Sequence, residues 1–300
     1  MCGTGAIVAT LQRWETDRSL VAQGQPGRSI SVDRGEGCME DVLDDELTMP
    51  PAQATRTVVT LSDARTALGA TGFAGTGQPW FRGHAKHAWR LEPVIEREGL
   101  QAFEREMLNA FEVEATRFVG RPLSSTWEVM TLAQHHRLPT RFLDWTSSLY
   151  VALHFACNGH ETFDGALYVM DPRSFNNETK HARAEVFMFG RTATLADATL
   201  QAHLGSRRGA SPNDPFAVIS PYAFDRIGNQ EGSFVVCPPN GPRLETFLRE
   251  GSFERWRVPA DAKGEILTEI EAAGYTDYRL FPTLDTAAEH IRRAFDPERK

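Results

Sequence analysis

Apolar positions divide the chain into helical and extended stretches. Between Leu100 and Val119 they recur at Leu100, Phe103, Met107, Phe111, Ala115 and Phe118, the spacing of a helix with one buried face, so this stripe is expected to be core. A helix ahead of it is predicted to begin at Ser62-Asp63-Ala64-Arg65, with Ser62 as N-cap. A second follows Ser124 or Ser125 and covers Thr126 to His136. A third covers Leu149 to Asn158, with Val151, Ala152, Phe155 and Ala156 as its buried face. A glycine-rich loop, Gly69 to Pro79, precedes a short strand at Trp80-Phe81-Arg82-Gly83; it does not match G-x-G-x-x-G and is given no dinucleotide role.

Beyond the third helix the pattern becomes extended. Strands are predicted at Gly165 to Asp171, ending at Pro172, and at Glu185 to Phe189, Phe216 to Ser220 and Gly232 to Cys237. The last two are β-branched and aromatic runs bounded by Pro or Gly. The tail returns to helix over Asp261 to Ala273, closed by Gly274, and over Leu284 to Phe295. This order gives an α+β fold, with a mixed or antiparallel central sheet between N-terminal and C-terminal helices.

The first 54 residues differ from the rest. Asp33 to Glu46 is acidic with one arginine, Met49-Pro50-Pro51-Ala52 breaks any helix, and Ser19 to Gly37 is rich in Gly, Ser, Gln and Arg. Residues 1–54 are read as a poorly ordered or docking segment, and residues 55–300 as the main domain. The net charge of −8 disfavours tight nonspecific binding of nucleic acid, which needs clustered basic residues. No apolar run reaches the ~20 residues of a membrane span, and no basic stretch precedes the short apolar start, so a cytoplasmic location is expected. Cys2, Cys38, Cys157 and Cys237 are scattered, which argues against a disulfide framework and a Cys-rich zinc site.

Three constellations carry candidate chemistry. The first is Trp80-Phe81-Arg82-Gly83-His84: an arginine at a strand end can grip an anion, and the glycine allows a ligand to approach closely. A core carboxylate as its partner is the alternative. The second runs from Gln134-His135-His136-Arg137 through Thr140-Arg141 to Asp144-Trp145-Thr146, dense in groups that form directed hydrogen bonds. Here Arg141 and Asp144, three apart, can pair with each other, and Thr140 and Thr146 can cap helices. Neither the adjacent histidines, nor His154 with Cys157, nor His84 with His87 makes a convincing metal set. The third is Asn229-Gln230-Glu231-Gly232 before a strand, where Gln230 can bond a ribose or amide and Glu231 can face a developing cation. The bland alternative is a hairpin turn with Glu231 in solvent. There is no G-x-S-x-G, Walker loop, H-E-x-x-H or zinc-deaminase signature, which removes the commonest hydrolases, ATPases, zincins and deaminases.

All three constellations resemble the FRG domain family of bacterial proteins. The first is its Phe-Arg-Gly tripeptide. Gln134 to Thr146 resembles its long central signature, followed by a helix ending near Phe155 and Ala156, and Gln230, Gly232 and Phe234 resemble its Q-x-G-x-F. The strand Ala166 to Asp171 and the tail Leu280 to Asp285 also resemble family positions, so the likeness extends over about residues 55 to 295. Arg137 stands where the family usually has glycine and Phe142 where it has leucine; Arg137 is expected to narrow the pocket or to add a phosphate contact. The family's order of motifs is similar to that of ADP-ribosyltransferases, and FRG domains occur among toxins and phage-defence proteins.

The resemblance therefore implies an ADP-ribosyltransferase-like fold, NAD as substrate without a metal, a macromolecular acceptor (RNA, DNA or protein), and a restraining antitoxin or inhibitory partner. In that reading Arg82, His135, Asp144, Gln230 and Glu231 are the catalytic candidates. Phe81, Arg82, Gly83, Gln134, Thr140, Arg141 and Trp145 are the candidates for holding NAD: Arg82 or Arg141 on the diphosphate, and Trp145, Trp80 or Phe81 stacked on nicotinamide. His135 or Asp144 would deprotonate the acceptor. A non-catalytic binding module, and a metal-independent ribonuclease using His135 or His136 with Arg141, are the alternatives. The acidic stretch Glu36 to Glu46 is a further candidate for covering an arginine-lined site.

Overall fold

The computed structural model describes residues 56–73, 78–179, 187–188, 214–219, 228–238, 243–247 and 253–296, all in the unit Thr48–Lys300. The N-terminal segment and the covering role given to Glu36 to Glu46 lie outside the described residues.

The described strands are β1 (Arg56–Thr57), β2 (Trp80–His84), β3 (Phe142–Thr146), β4 (Gly165–Met170), β5 (Phe187–Met188), β6 (Phe216–Ile219), β7 (Gly232–Val236) and β8 (Phe253–Val258). They form one mixed sheet in the order β1-β8-β4-β2-β3-β7-β6-β5. The outer pairs β1–β8 and β5–β6 are parallel and the inner ones antiparallel. The helices are α1 (Leu61–Ala70), α2 (Val94–Arg97), α3 (Glu104–Val119), α4 (Thr126–His135), α5 (Leu149–Cys157), α6 (Pro172–Glu178), α7 (Lys263–Ala272), α8 (Asp277–Leu280) and α9 (Leu284–Ala294). None is long and apolar enough to cross a membrane.

Both faces of the sheet are covered, so its inner strands read as apolar runs rather than clean alternation. On one face Phe81, Leu167, Val169 and Trp256 pack under α1, α5 and α7. Further along that face Phe142, Phe216, Val218, Phe234 and Val236 pack under α3 and α4. On the opposite face Trp80, Leu143, Trp145, Tyr168 and Val235 meet Leu91, Phe175 and Leu244. Asp144 is exposed on β3, next to the strand that carries the first cluster and within the strand that carries the second.

Several sequence expectations change. The N-cap of helix α1 lies two residues earlier than foreseen, at Thr60 rather than Ser62: Thr60 Oγ1 accepts from Asp63 N at 3.1 Å, and the Asp63 carboxylate accepts from Thr60 N at 3.0 Å. The stripe on α3 is not core throughout. Phe103 and Phe118 are 58% and 87% exposed; the buried line of that helix is Glu104, Leu108 and Ala115. Pro172 does not merely end a strand but opens α6 at its first turn, with Asp171 as cap. Strand β8 was not foreseen, because Phe-Glu-Arg-Trp-Arg-Val mixes charge into a segment that pairs with β4 along its whole length.

Candidate functional site

Strand β3 organises the residues singled out in the sequence. At its start Arg141 is buried, and its guanidinium is held by Glu104 at the first turn of α3. Arg141 Nε donates to Glu104 Oε2 at 2.7 Å and Nη2 donates to the same oxygen, while Arg141 N donates to Oε1 at 3.0 Å. Arg141 is therefore not paired with Asp144. It anchors α3 to the sheet, and a buried guanidinium needs such a partner because an uncompensated charge there is costly.

Three residues further along, the surroundings differ. The carboxylate of Asp144 is exposed and accepts from Gln134 Nε2 at 3.3 and 3.1 Å. Gln134 is itself oriented by Thr140, whose Oγ1 donates to Gln134 Oε1 at 2.6 Å. That oxygen of Thr140 also accepts from Phe142 N at 3.2 Å, so Thr140 is a link in a side-chain chain and not a helix cap. The register of β2 on β3 is a single pair, Phe81 opposite Thr146. Beyond it the Asp144 carbonyl accepts from Arg82 Nη1 at 2.7 Å, and Arg82 Nε donates to His84 Nε2 at 2.9 Å. Burial, then Arg82 and Arg255, hold the His84 pKa well below the usual imidazole range. His84 is therefore a neutral acceptor that fixes Arg82, and its Nε2 carries no proton. Arg82 thus reaches the Asp144 backbone with His84 behind it, while the Asp144 side chain, on the alternate face of the sheet, is met by Gln134 with Thr140 behind it. His84 entered the sequence reading as a metal candidate; its signal as a support is its position two residues from Arg82 on one strand, on the same face.

The tripeptide resolves into three different tasks. Phe81 is 2% exposed within the core. Gly83 faces α5, where an added Cβ would lie 1.9 Å from the carbonyl oxygen of Ala152 and 2.6 Å from the nitrogen of Ala156. The close approach that this glycine permits is that of the helix backbone to β2, not that of a ligand. Trp80 and Trp145 are 3% and 2% exposed, and Trp145 packs edge-on against Phe253. The rings of Phe81, Trp80 and Trp145 are core elements, with no face turned outward to stack on a ligand.

At the far end of β3 lies the third constellation. Thr146 Oγ1 donates to the Gln230 carbonyl at 2.6 Å and accepts from Ser148 N at 3.0 Å, and Ser148, not Thr146, caps α5. Gln230 Nε2 donates to Leu280 O at 3.2 Å, which ties the tail to the sheet. Glu231 accepts from Ser147 Oγ at 3.2 Å and has φ 49°, a left-handed conformation. This is a strained turn into β7 rather than a two-residue hairpin. His135 is half-buried at the end of α4, its ring edge-on to His136 with centroids 5.0 Å apart.

Arg137 has φ 63°. Its N–H donates to Gln134 O at 3.0 Å and that of Leu138 to Ala133 O at 3.0 Å, the paired bonds of a Schellman helix end, in which the left-handed position favours glycine. The side chain of Arg137 is exposed. What the glycine of the resemblance supplies is backbone freedom to end α4 ahead of Thr140.

Residues 77–165 match the family model for the FRG domain. This chain carries an FRG domain. The match includes Arg82, Gln134, Thr140, Arg141 and Asp144, while Gln230, Glu231 and β8 lie beyond it. No curated protein and no solved structure matches the chain. Among the described residues, no group of three or more His, Cys, Asp or Glu side chains is placed to hold a metal. Burial raises the Cys157 thiol to about 12 and the Cys237 thiol further still, so both thiols are protonated at neutral pH.

Proposed function

We propose that this FRG domain is an NAD-dependent mono-ADP-ribosyltransferase that modifies a macromolecule and acts as a toxin or phage-defence effector. The observation that carries the reading is the exposed Asp144 carboxylate, oriented through Gln134 and Thr140, on the residue whose backbone carbonyl holds Arg82, itself fixed by a neutral histidine. Arg82 would hold the diphosphate of NAD. The bond between the ribose C1′ and the nicotinamide nitrogen breaks, and its electron pair leaves with neutral nicotinamide. A carboxylate beside the ribose stabilises the oxocarbenium-like state. A nucleophilic oxygen or nitrogen of the acceptor then bonds to C1′, and its proton passes to Asp144, with His135 as the alternative base.

The geometry narrows the roles expected from sequence. Arg141 supports the site through Glu104, and Gln230 supports it through Leu280. Stacking of nicotinamide on Phe81, Trp80 or Trp145 drops out of the proposal because these rings are buried. Glu231, held by Ser147 at the far end of β3, is kept as a second carboxylate candidate.

The test is incubation with adenylate-labelled NAD and total cell RNA, DNA and protein, with free nicotinamide followed in the same tube. The expected result is transfer of label to one pool, with the rate reduced about 100-fold or more in Asp144→Asn and lost in Arg82→Ala. Nicotinamide release without transfer identifies an NAD hydrolase. Binding of NAD without turnover identifies a non-catalytic module, and cleavage of RNA without NAD identifies a metal-independent ribonuclease.

A further inference from the structure

Helix α9 is amphipathic in the reverse sense of an ordinary surface helix. Its polar face is turned to its own domain. The His290 ring stacks on Tyr278 with centroids 5.4 Å apart, Arg293 pairs with Glu271 at 3.7 Å, and Thr286 Oγ1 donates to Phe281 O at 2.6 Å. Its apolar face is turned outward: Leu284, Ile291 and Phe295 are 89%, 58% and 78% exposed, Ala288 is exposed with them, and no residue of the helix is buried. At the angular step of an α-helix these four side chains fall within a sector of about 60°. Their four-three-four spacing is that of a seam between paired helices.

The charges beside this stripe indicate what covers it. Asp285 and Arg292 lie two turns apart on the same edge of the stripe, the acid near the helix start and the base near its end. Asp285 has no hydrogen-bonding or ion-pair partner among the described residues. Arg292 pairs with Glu289 of its own helix, at 2.7 Å and with both side chains in solvent, an ion pair of little strength that exchanges readily. When two such helices lie antiparallel across a two-fold axis, Asp285 of each meets Arg292 of the other, and the contact closes on itself. A parallel pairing turns this edge toward the partner's opposite edge, that of Ala287 and Ala294, and forms no such pair.

We propose that this face is a two-fold interface between copies of the chain, with α9 antiparallel to α9 of a second copy. The proposal is independent of the NAD reading. One short helix per copy falls below the ~800 Å² per partner of a standard stable interface, so the dimer is concentration-dependent rather than obligate.

Sedimentation velocity on the full chain over a concentration series tests it. The expected result is a reversible monomer–dimer equilibrium with a dissociation constant on the order of 10 µM or weaker. Ile291→Glu should raise that constant at least tenfold, with the far-UV circular dichroism unchanged because the residue is exposed. Asp285→Arg should raise it several-fold, and adding Arg292→Asp on the same chain should restore it, since the exchanged charges again meet their opposites. A chain that is monomeric at every concentration overturns the proposal, as does a dimer unmoved by Ile291→Glu. Failure of the charge exchange to restore dimerisation overturns the antiparallel arrangement.

Discussion

The two ends of the signature on β3 use similar residues in opposite ways. At Arg141 a guanidinium and a carboxylate meet out of water and bond to each other, Glu104 closing both the side chain and the backbone nitrogen. Three residues on, Asp144 is in solvent and its carboxylate is held by a neutral amide, while the neighbouring Arg82 is held by a neutral imidazole and a carbonyl. A buried ion pair fixes an architecture, whereas an exposed carboxylate oriented by a neutral amide keeps its field for a ligand. The comparison assigns Arg141 to the fold and leaves Asp144 as the carboxylate open to a ligand.

Breaking the buried pair should have the largest effect on stability. Glu104→Ala leaves Arg141 buried without its carboxylate and should cost about 3–5 kcal/mol in denaturant unfolding. A loss below about 1 kcal/mol would place Arg141 in an environment like that of Arg82 and remove the distinction. Gly83→Ala comes next, at about 3 kcal/mol, because the added carbon meets helix backbone that has no rotamer to yield. In an open strand the same change stabilises by roughly 0.5–1 kcal/mol, so the sign alone tests the packing of α5 on β2. Arg82→Ala, at a half-buried position, should cost less than about 1 kcal/mol of stability yet abolish NAD binding as read by calorimetry.

His84 sharpens the comparison through pH. Its pKa in the folded protein is depressed by burial and by the charges of Arg82 and Arg255. The stability tied to the neutral ring is therefore present above the unfolded value of about 6.5 and is lost as pH falls below it. The stability difference between the parent and His84→Gln should be greatest above neutrality and should shrink toward pH 5. His87, whose pKa burial and Arg255 hold at about 4, acts in the same direction. Glu92 and Glu96, raised first by burial, act in the opposite one. All three are common to both proteins and cancel in the difference.

How much of this was legible in sequence depends on the range of the interaction. Helices α4 and α5 were read nearly to the residue, because Ser125 and Ser148 cap them locally. Strands β4, β6 and β7 were found because sheets covered on both faces need unbroken apolar runs, whereas β3, whose Phe-Leu-Asp-Trp-Thr is interrupted by the exposed Asp144, was missed. Strand β8 was missed because its charges are matched by distant partners: Glu254 takes Arg56 Nε at 2.9 Å, and Arg257 Nε reaches Asp164 at 2.6 Å. The arginine-to-carboxylate pairing failed for the same reason. Asp144 lies near Arg141 in sequence, but Glu104, on another helix, meets it in space. The candidate residues stand out in the sequence as a density of polar side chains; which of them bond to one another required the fold.

The smallest expected effect concerns Arg137. Its left-handed backbone ends α4 and leads into Thr140, the residue that orients Gln134 on Asp144. A residue with a Cβ in that conformation costs roughly 1–2 kcal/mol, and glycine avoids this strain at some cost in chain entropy. Arg137→Gly should therefore stabilise the protein by about 1 kcal/mol in denaturant unfolding. Because its side chain points into solvent, the change should leave NAD binding within about twofold, an affinity difference of roughly 0.4 kcal/mol. A larger fall in affinity, rescued by Arg137→Lys, would show instead that this cation reaches the ligand and belongs with Arg82 rather than with the fold.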